Sequence, residues 1–301
     1  MAACCEKGRD PTRWHGEGSG KGARRGTGAG GPPARIDPAR GGGSSVPLDL
    51  RAGLLKRARR GGTLLPLMDP APLSVRYSFR MRDGSVREEA VQLDPTSLAD
   101  VAPVAADGPG WTLLAFERCP NCPLPAATGA RCPAAARLAP LAAAFGETLS
   151  VEDCEAEVEI SGRTVGKRLA AAPALGSLLG LKFATSGCPI LGRLRPMARF
   201  HVPFADETET LYRAAGLYLI AQHLRATTGE PPDWSLSGLV AIYEDVGRVN
   251  QAFAKRLRAA GKADANVNAL VHLDMFAKWV PASILDRLED LRELLAVWVA
   301  G

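Results

Sequence analysis

In LSVRYSFRM, Val75, Tyr77, Phe79 and Met81 alternate with polar partners, the period-two pattern of a strand with one buried face. Asp83-Gly84 signals a hairpin turn, and a second strand is expected over roughly Val86 to Leu93. Residues 94–110 read as loop. WTLLAFER, from Trp111 to Arg118, is more continuously apolar and reads as a central strand. The alanine-rich stretch from Arg131 to Gly146 has helical character, interrupted by Pro140. Ala156, Val158 and Ile160 then alternate, Ser161-Gly162 turns, and Val165 and Leu169 continue the pattern as another hairpin. Residues 73–170 are therefore expected to form an antiparallel sheet of four or five strands.

From Ala174 the period changes. ALGSLLGLKFATSG predicts a short apolar helix with Gly187 just past its end. The clearest helix starts near Asp206, with Glu209 three residues on as in a capping box, and stops at Gly229. Further helices are predicted over about 237–260, 267–279 and 281–299, the last with Pro281 in its first turn. Together these elements predict an α+β body: a small antiparallel sheet carrying a cysteine loop, followed over residues 171–301 by a helical bundle that forms one compact unit with it.

Composition separates that body from the start of the chain. The formal charge is +5 over 301 residues, but residues 1–60 hold 13 Lys+Arg against 5 Asp+Glu, and the remainder 24 against 27. Residues 1–45 are rich in Gly, Arg and Pro with few apolar residues and are expected to be disordered. Residues 46–72 read as a proline-bearing linker in which 47–60 has the pattern of a short basic helix. Nucleic acid is expected only as a weak partner of this basic head, through its arginines. The head lacks the apolar core of an export signal, and no run of 18 apolar residues occurs, so neither export nor a membrane helix is expected. Seven cysteines, an odd number, then favour metal or free thiols in a reducing cytoplasm over a disulfide framework.

The candidate chemistry lies in FERCPNCPLPAATGARCP. Cys119-x2-Cys122 puts two thiols on one tight loop, Cys132 follows, and Cys188 can arrive from the start of the bundle. Four thiolates suit zinc and an iron–sulfur cluster alike. Each of the four is followed by proline, at Pro120, Pro123, Pro133 and Pro189; a C-P step also closes the ligand run of bacterial ferredoxins, which tilts the reading toward a cluster. His201, in RPMARFHVPF, is a substitute ligand or a hydrogen-bond partner of the site. A thiol–disulfide oxidoreductase using Cys119 and Cys122 is the first alternative, although Pro123, Pro125 and Gly129 leave no room for a helix starting at the pair. A metal-free interaction module is the second. Cys154, inside an alternating strand, reads as an inert core thiol.

Other motifs carry less. Asp264, Asn266 and Asn268 have the spacing of a calcium loop, but Ala269 and Met275 stand where glycine and glutamate are needed, so a helix start explains them better. Asn250 and Tyr243 are candidate hydrogen-bond partners for that start. Arg195 and Arg199 read as solvated. No nucleophile elbow, phosphate loop, dinucleotide fingerprint or paired histidine motif occurs.

FERCPNCPLP, ATSGCPILGRLRPMARFHVPF and DANVNALV resemble segments of a bacterial protein family of unknown function, over roughly residues 73–300. The resemblance implies that Cys119, Cys122, Cys132, Cys188 and His201 belong to that family's characteristic segments and leaves out the head. It implies no activity, substrate or cofactor.

Overall fold

The computed structural model describes residues 72–299. The expected disordered head and almost all of the linker, with Cys4 and Cys5, lie outside the described residues. The α+β architecture is as expected: four antiparallel strands and then helices.

Strands β1 (Leu73–Met81) and β2 (Val86–Leu93) form the first hairpin, and β3 (Asp153–Ile160) and β4 (Arg163–Ala170) the second. The sheet order is β2-β1-β3-β4. Alternation sets the register. Val75, Tyr77, Phe79 and Met81 face inward opposite Ile160, Val158, Ala156 and Cys154, and all eight are buried. On the outer face Arg76 pairs with Glu159 at 3.8 Å and Arg80 with Glu155 at 3.9 Å. These exposed pairs fix register more than they stabilise, contributing about 0–1 kcal/mol each. Ser161 and Gly162 both have positive φ (49° and 72°), the backbone that lets a two-residue turn follow the twist of its strands.

The helices are α1 (Pro133–Ala144), α2 (Ala171–Thr185), the single turn α3 (Pro196–Arg199), α4 (Glu207–Thr227), α5 (Ser237–Ala260) and α6 (Ala265–Leu285), with short turns at Glu289–Arg292 and Ala296–Val299. Helix α2 is apolar on all sides, with 12 of its 15 residues buried, so it can only be central. It lies against β3, β4 and α6. Gly176 and Gly180 allow the close approach to α6: a Cβ at 176 would sit 3.3 Å from the Ala269 carbonyl oxygen, and one at 180 only 3.2 Å from Leu273 Cδ2. Asp206 and Glu209 form the expected capping box at the start of α4.

Three expectations fail. Trp111–Arg118 is not a strand: it forms one helical turn (Gly110–Thr112) and then irregular loop, with a lone bridge between Leu113 and Arg131. Only Trp111 and Leu114 of its apolar residues are buried, Ala115 and Phe116 are exposed, and Glu117 has a left-handed φ of 41°. The sheet accordingly has four strands. Pro281 does not begin a helix. Helix α6 runs through it, as α1 runs through Pro140, because buried faces on both helices outweigh one missing backbone hydrogen bond. The expected helix over 281–299 is broken where Arg287 and Leu288 take positive φ.

One buried ion pair ties the sheet to the helical layer. Lys182 of α2 lies 2.9 Å from Glu89 of β2, with side chains 7% and 16% exposed. Lys182→Met leaves Glu89 without its partner and is expected to destabilise the fold by about 3–5 kcal/mol in urea unfolding, whereas adding Glu89→Gln to it should recover much of the loss. Equal destabilisation by the single and double variants would contradict this account.

Candidate functional site: a four-cysteine cavity

The loop after residue 110 has few backbone partners of its own. Leu114 N–H donates to the Ala130 carbonyl at 2.7 Å and Cys132 N–H to the Thr112 carbonyl at 2.9 Å, which closes its two ends. One side chain serves the carbonyls of Trp111, Leu113 and Leu114, of which Leu113 also accepts from Phe116 N–H at 3.1 Å. Arg256 of α5, 1% exposed, donates Nη1–H to Trp111 and Leu113 at 2.7 and 2.8 Å and Nη2–H to Leu114 at 3.2 Å. Buried carbonyls need partners, and a guanidinium can serve three without a neighbouring strand.

The cysteine turn is held in the same manner. Cys122 N–H donates to the Cys119 carbonyl at 3.1 Å, and Arg118 donates to the Cys122 and Leu124 carbonyls at 3.2 and 2.5 Å. Between the two cysteines, Asn121 donates Nδ2–H to both the backbone oxygen and Oδ1 of Asp245 on α5, at 3.1 and 2.9 Å. Asp245 also accepts from Arg193 at 2.8 Å, five residues after Cys188, and from Arg248 at 2.5 Å. The hydrogen bond from Asn121 and the charge of Arg193 hold the Asp245 carboxyl below the ordinary carboxylate range. One carboxylate thus joins the CxxC turn to the Cys188 segment.

Cys132 stands at the N-cap of α1, where the helix end places partial positive charge near its sulfur. Cys188 follows α2 after Gly187, whose φ of 88° turns the chain back toward the loop. Cys119, Cys122, Cys132 and Cys188 all line one cavity of about 20 Å³, together with Phe253 and Arg256. Every described cysteine is a free thiol. Among the described residues, no three His, Cys, Asp or Glu side chains are grouped closely enough to hold an ion as they stand. Burial pushes the Cys119 thiol up to about 12, with Cys132 adding to the shift and Arg256 opposing it. Burial also raises Cys188, opposed by the amides of Leu191 and Ile190, which favour its thiolate.

His201 is placed elsewhere. Its Nε2 is 2.6 Å from the Tyr77 hydroxyl, which is 2.8 Å from Ser177 Oγ, and His201 does not line the cysteine cavity. Burial, and then the charge of Arg213, pushes His201 down to about 3, so it is neutral at physiological pH. Cys154 is buried on β3 opposite Met81, as expected of a core thiol. Asp264 spends its carboxylate on Ser150, accepting from N–H at 2.7 Å and Oγ–H at 2.9 Å, so it does not cap α6 through its side chain. Asn266 donates to the Ala142 carbonyl. Asn250 and Tyr243 do not share in this start: Tyr243 Oη meets Met197 Sδ at 3.7 Å, and the Asn250 amide has no partner.

Sequence reasoning missed Arg256, Asn121, Asp245 and Arg193. Only Arg256 carried a signal: it follows Val249 and Phe253 on the apolar stripe of α5, where an arginine has to find a buried acceptor.

Residues 75–296, well over half of the 301, match the family model described as Domain of unknown function (DUF6901). The chain belongs to the DUF6901 family. The DUF6901 match takes in all four cavity cysteines, Arg256 and Asp245, and begins after the basic head. No curated protein and no solved structure matches the chain.

Two outcomes follow from this geometry. Arg256→Met removes the side-chain donors of the Trp111 and Leu114 carbonyls and leaves Leu113 with the Phe116 N–H alone; it is expected to lower stability by about 3 kcal/mol, read from the urea midpoint. The second concerns metal-free protein. A thiol whose pKa is raised on folding stabilises the fold at low pH and loses that contribution as pH rises through the folded value. Stability of the metal-free protein should therefore fall between the ordinary thiol value of 9.0 and about 12, and Cys119 should be alkylated slowly by iodoacetamide at neutral pH. Alkylation of Cys119 at the rate of a free cysteine would contradict it.

Proposed function

We propose that this DUF6901 protein holds a single zinc ion on Cys119, Cys122, Cys132 and Cys188, as a structural clip between the cysteine loop and the helices. The observation that carries the reading is the convergence of four thiols from three separate segments on one small cavity. The donor set fits: four sulfurs and no carboxylate or imidazole in the cavity lining suit a closed, four-coordinate zinc site. Because no such ligand group stands ready among the described residues, the proposal requires the cysteine side chains to reorient on binding.

Size favours a single ion over a cluster. A cavity of about 20 Å³ has room for roughly one water-sized sphere, enough for one ion and too little for a cluster of several iron and sulfide atoms. Charge fits a four-thiolate site of either kind. Four thiolates around a divalent ion carry net negative charge, and the buried Arg256 beside them, with an unpartnered Nε–H, offsets part of it. His201 takes no part in the proposed ligand set.

Such a site adds folding energy and no turnover, because all four positions are filled by protein. Thiol exchange at Cys119 and Cys122 is disfavoured by the raised Cys119 pKa and by the absence of a helix starting at the pair.

The test is metal content of protein purified without oxygen or chelator, beside its absorption spectrum. About one zinc per chain, no visible absorbance and loss of zinc in Cys188→Ser are expected. Iron with acid-labile sulfide would overturn the single-ion reading. Folded protein with neither metal would overturn both metal readings.

A further inference from the structure

A second, larger cavity of about 390 Å³ lies between α2, the turn at Leu191–Leu194, α4, α5 and α6. Its size falls in the range of small-molecule sites, about 300–1,000 Å³. Most of its wall is apolar, with Leu181, Phe183, Met197 and Phe276 among the lining residues. Three polar groups in this wall are unsatisfied. Asn250, 2% exposed, has no hydrogen-bond partner among the described residues for either Nδ2 or Oδ1. Among the described residues Arg213 has no partner for its buried Nε, and the only hydrogen bond of its guanidinium is a long one, 3.4 Å from Nη1 to the Phe200 carbonyl. Buried polar atoms without partners are rare, and two such side chains lining one cavity indicate a missing partner.

The charges around the cavity decide which partner. Among the described residues no carboxylate forms an ion pair with Arg213. Asp206 and Glu207 are exposed at the first turn of α4, and the Asp206 carboxylate accepts from the Glu209 amide. Glu209, whose charge is felt at Arg213, gives Oε2 to the Asp206 amide at 3.0 Å. Lys167 is exposed on β4. His201 is neutral and its Nε2 is occupied by Tyr77. The cavity therefore offers one partly buried, permanently charged cation and one free amide inside an apolar wall.

We infer that this cavity binds a small amphipathic carboxylate, its hydrocarbon body against Leu181, Phe183, Met197 and Phe276 and its carboxylate on Arg213 and the Asn250 amide. A planar two-oxygen anion matches a guanidinium edge and an amide N–H. A monoanion costs less to desolvate in a mostly apolar cavity than a phosphate dianion. Phe204, also in this wall, keeps a left-handed φ of 57° and donates its N–H to Ser177 Oγ at 3.0 Å, the kind of over-determined backbone that accompanies ligand clamps.

The probe is octanoate, titrated into the full chain beside octanol and octylamine and followed by calorimetry and by methyl NMR of the methionines. Met197 and Met275 line this cavity, whereas Met81 is buried on the sheet and serves as the internal reference. Octanoate is expected to saturate the protein, to shift the Met197 and Met275 methyls and to leave Met81 in place. Octylamine should bind about tenfold more weakly or worse, and Arg213→Met should weaken octanoate about tenfold while leaving octanol within about twofold. No saturable octanoate binding, octylamine binding as tight as octanoate, or Met81 shifting as far as Met197 would each overturn the inference. The comparison of octanoate with octylamine and the methyl shifts use the wild-type chain, so they decide the matter even where Arg213→Met fails to fold. The outcome is independent of zinc content.

Discussion

The guanidinium of Arg256 and the three carbonyls it serves are the constraint on which the cysteine region depends. A loop that leaves the sheet and returns without forming a strand carries backbone oxygens that water cannot reach. Arg256 supplies donors for the oxygens of Trp111, Leu113 and Leu114 from a helix more than 140 residues away. With that start fixed, Asn121 can reach Asp245, and Arg193 reaches the same carboxylate from the Cys188 side. The cysteines sit between these two anchors. Their convergence follows from charged hydrogen bonds on α5 and not from any regularity in the loop itself.

Helix α5 also borders the larger cavity, by a different strip of its surface. Val249, Phe253 and Arg256 face the cysteines, whereas Tyr243, Val246 and Asn250 line the larger space. The turn after Cys188 is divided in the same way, Ile190 toward the cysteines and Leu191 toward the larger cavity. The two cavities therefore share α5 and the turn after Cys188 as common walls. The close contacts of Gly176 and Gly180 of α2 with α6 lie along the wall of the larger cavity, and the loop carrying His201, Phe204 and Ala205 completes it.

Regular elements were legible wherever the pattern of the chain and the local chemistry agreed. The inward residues of β1 and β3, the Ser161-Gly162 turn, the Asp206–Glu209 box and the extent of α5 all follow from rules acting within a few residues. The failures share one cause. Trp111–Arg118 has the apolar density of a central strand, but what satisfies its backbone carbonyls is an arginine distant in sequence. Pro140 and Pro281 carry local penalties that tertiary packing overrides. Periodicity reports burial; it does not report which element does the burying.

The candidate site divides along the same line. The four cysteines were legible because thiol spacing and the adjoining prolines are local, and the fold gathers them. His201 was attached to them on sequence proximity to Cys188 alone. After Cys188 the chain makes the turn at Leu191–Leu194 and then α3, which carries the histidine to the far side of that turn and onto the Tyr77 hydroxyl. There a neutral imidazole completes a hydrogen-bonded chain through Tyr77 to Ser177. Burial keeps Tyr77 protonated well above neutral pH, so that chain fastens β1 to α2 without introducing charge. The contrast with Arg213 and Asn250 is direct: these neighbours in the same cavity wall keep unpartnered polar atoms, while Tyr77, Ser177 and His201 satisfy one another. Among the described residues, Asn250 and Arg213 are the side chains of this wall that keep unpaired buried polar atoms, which places them to meet a group from outside the fold.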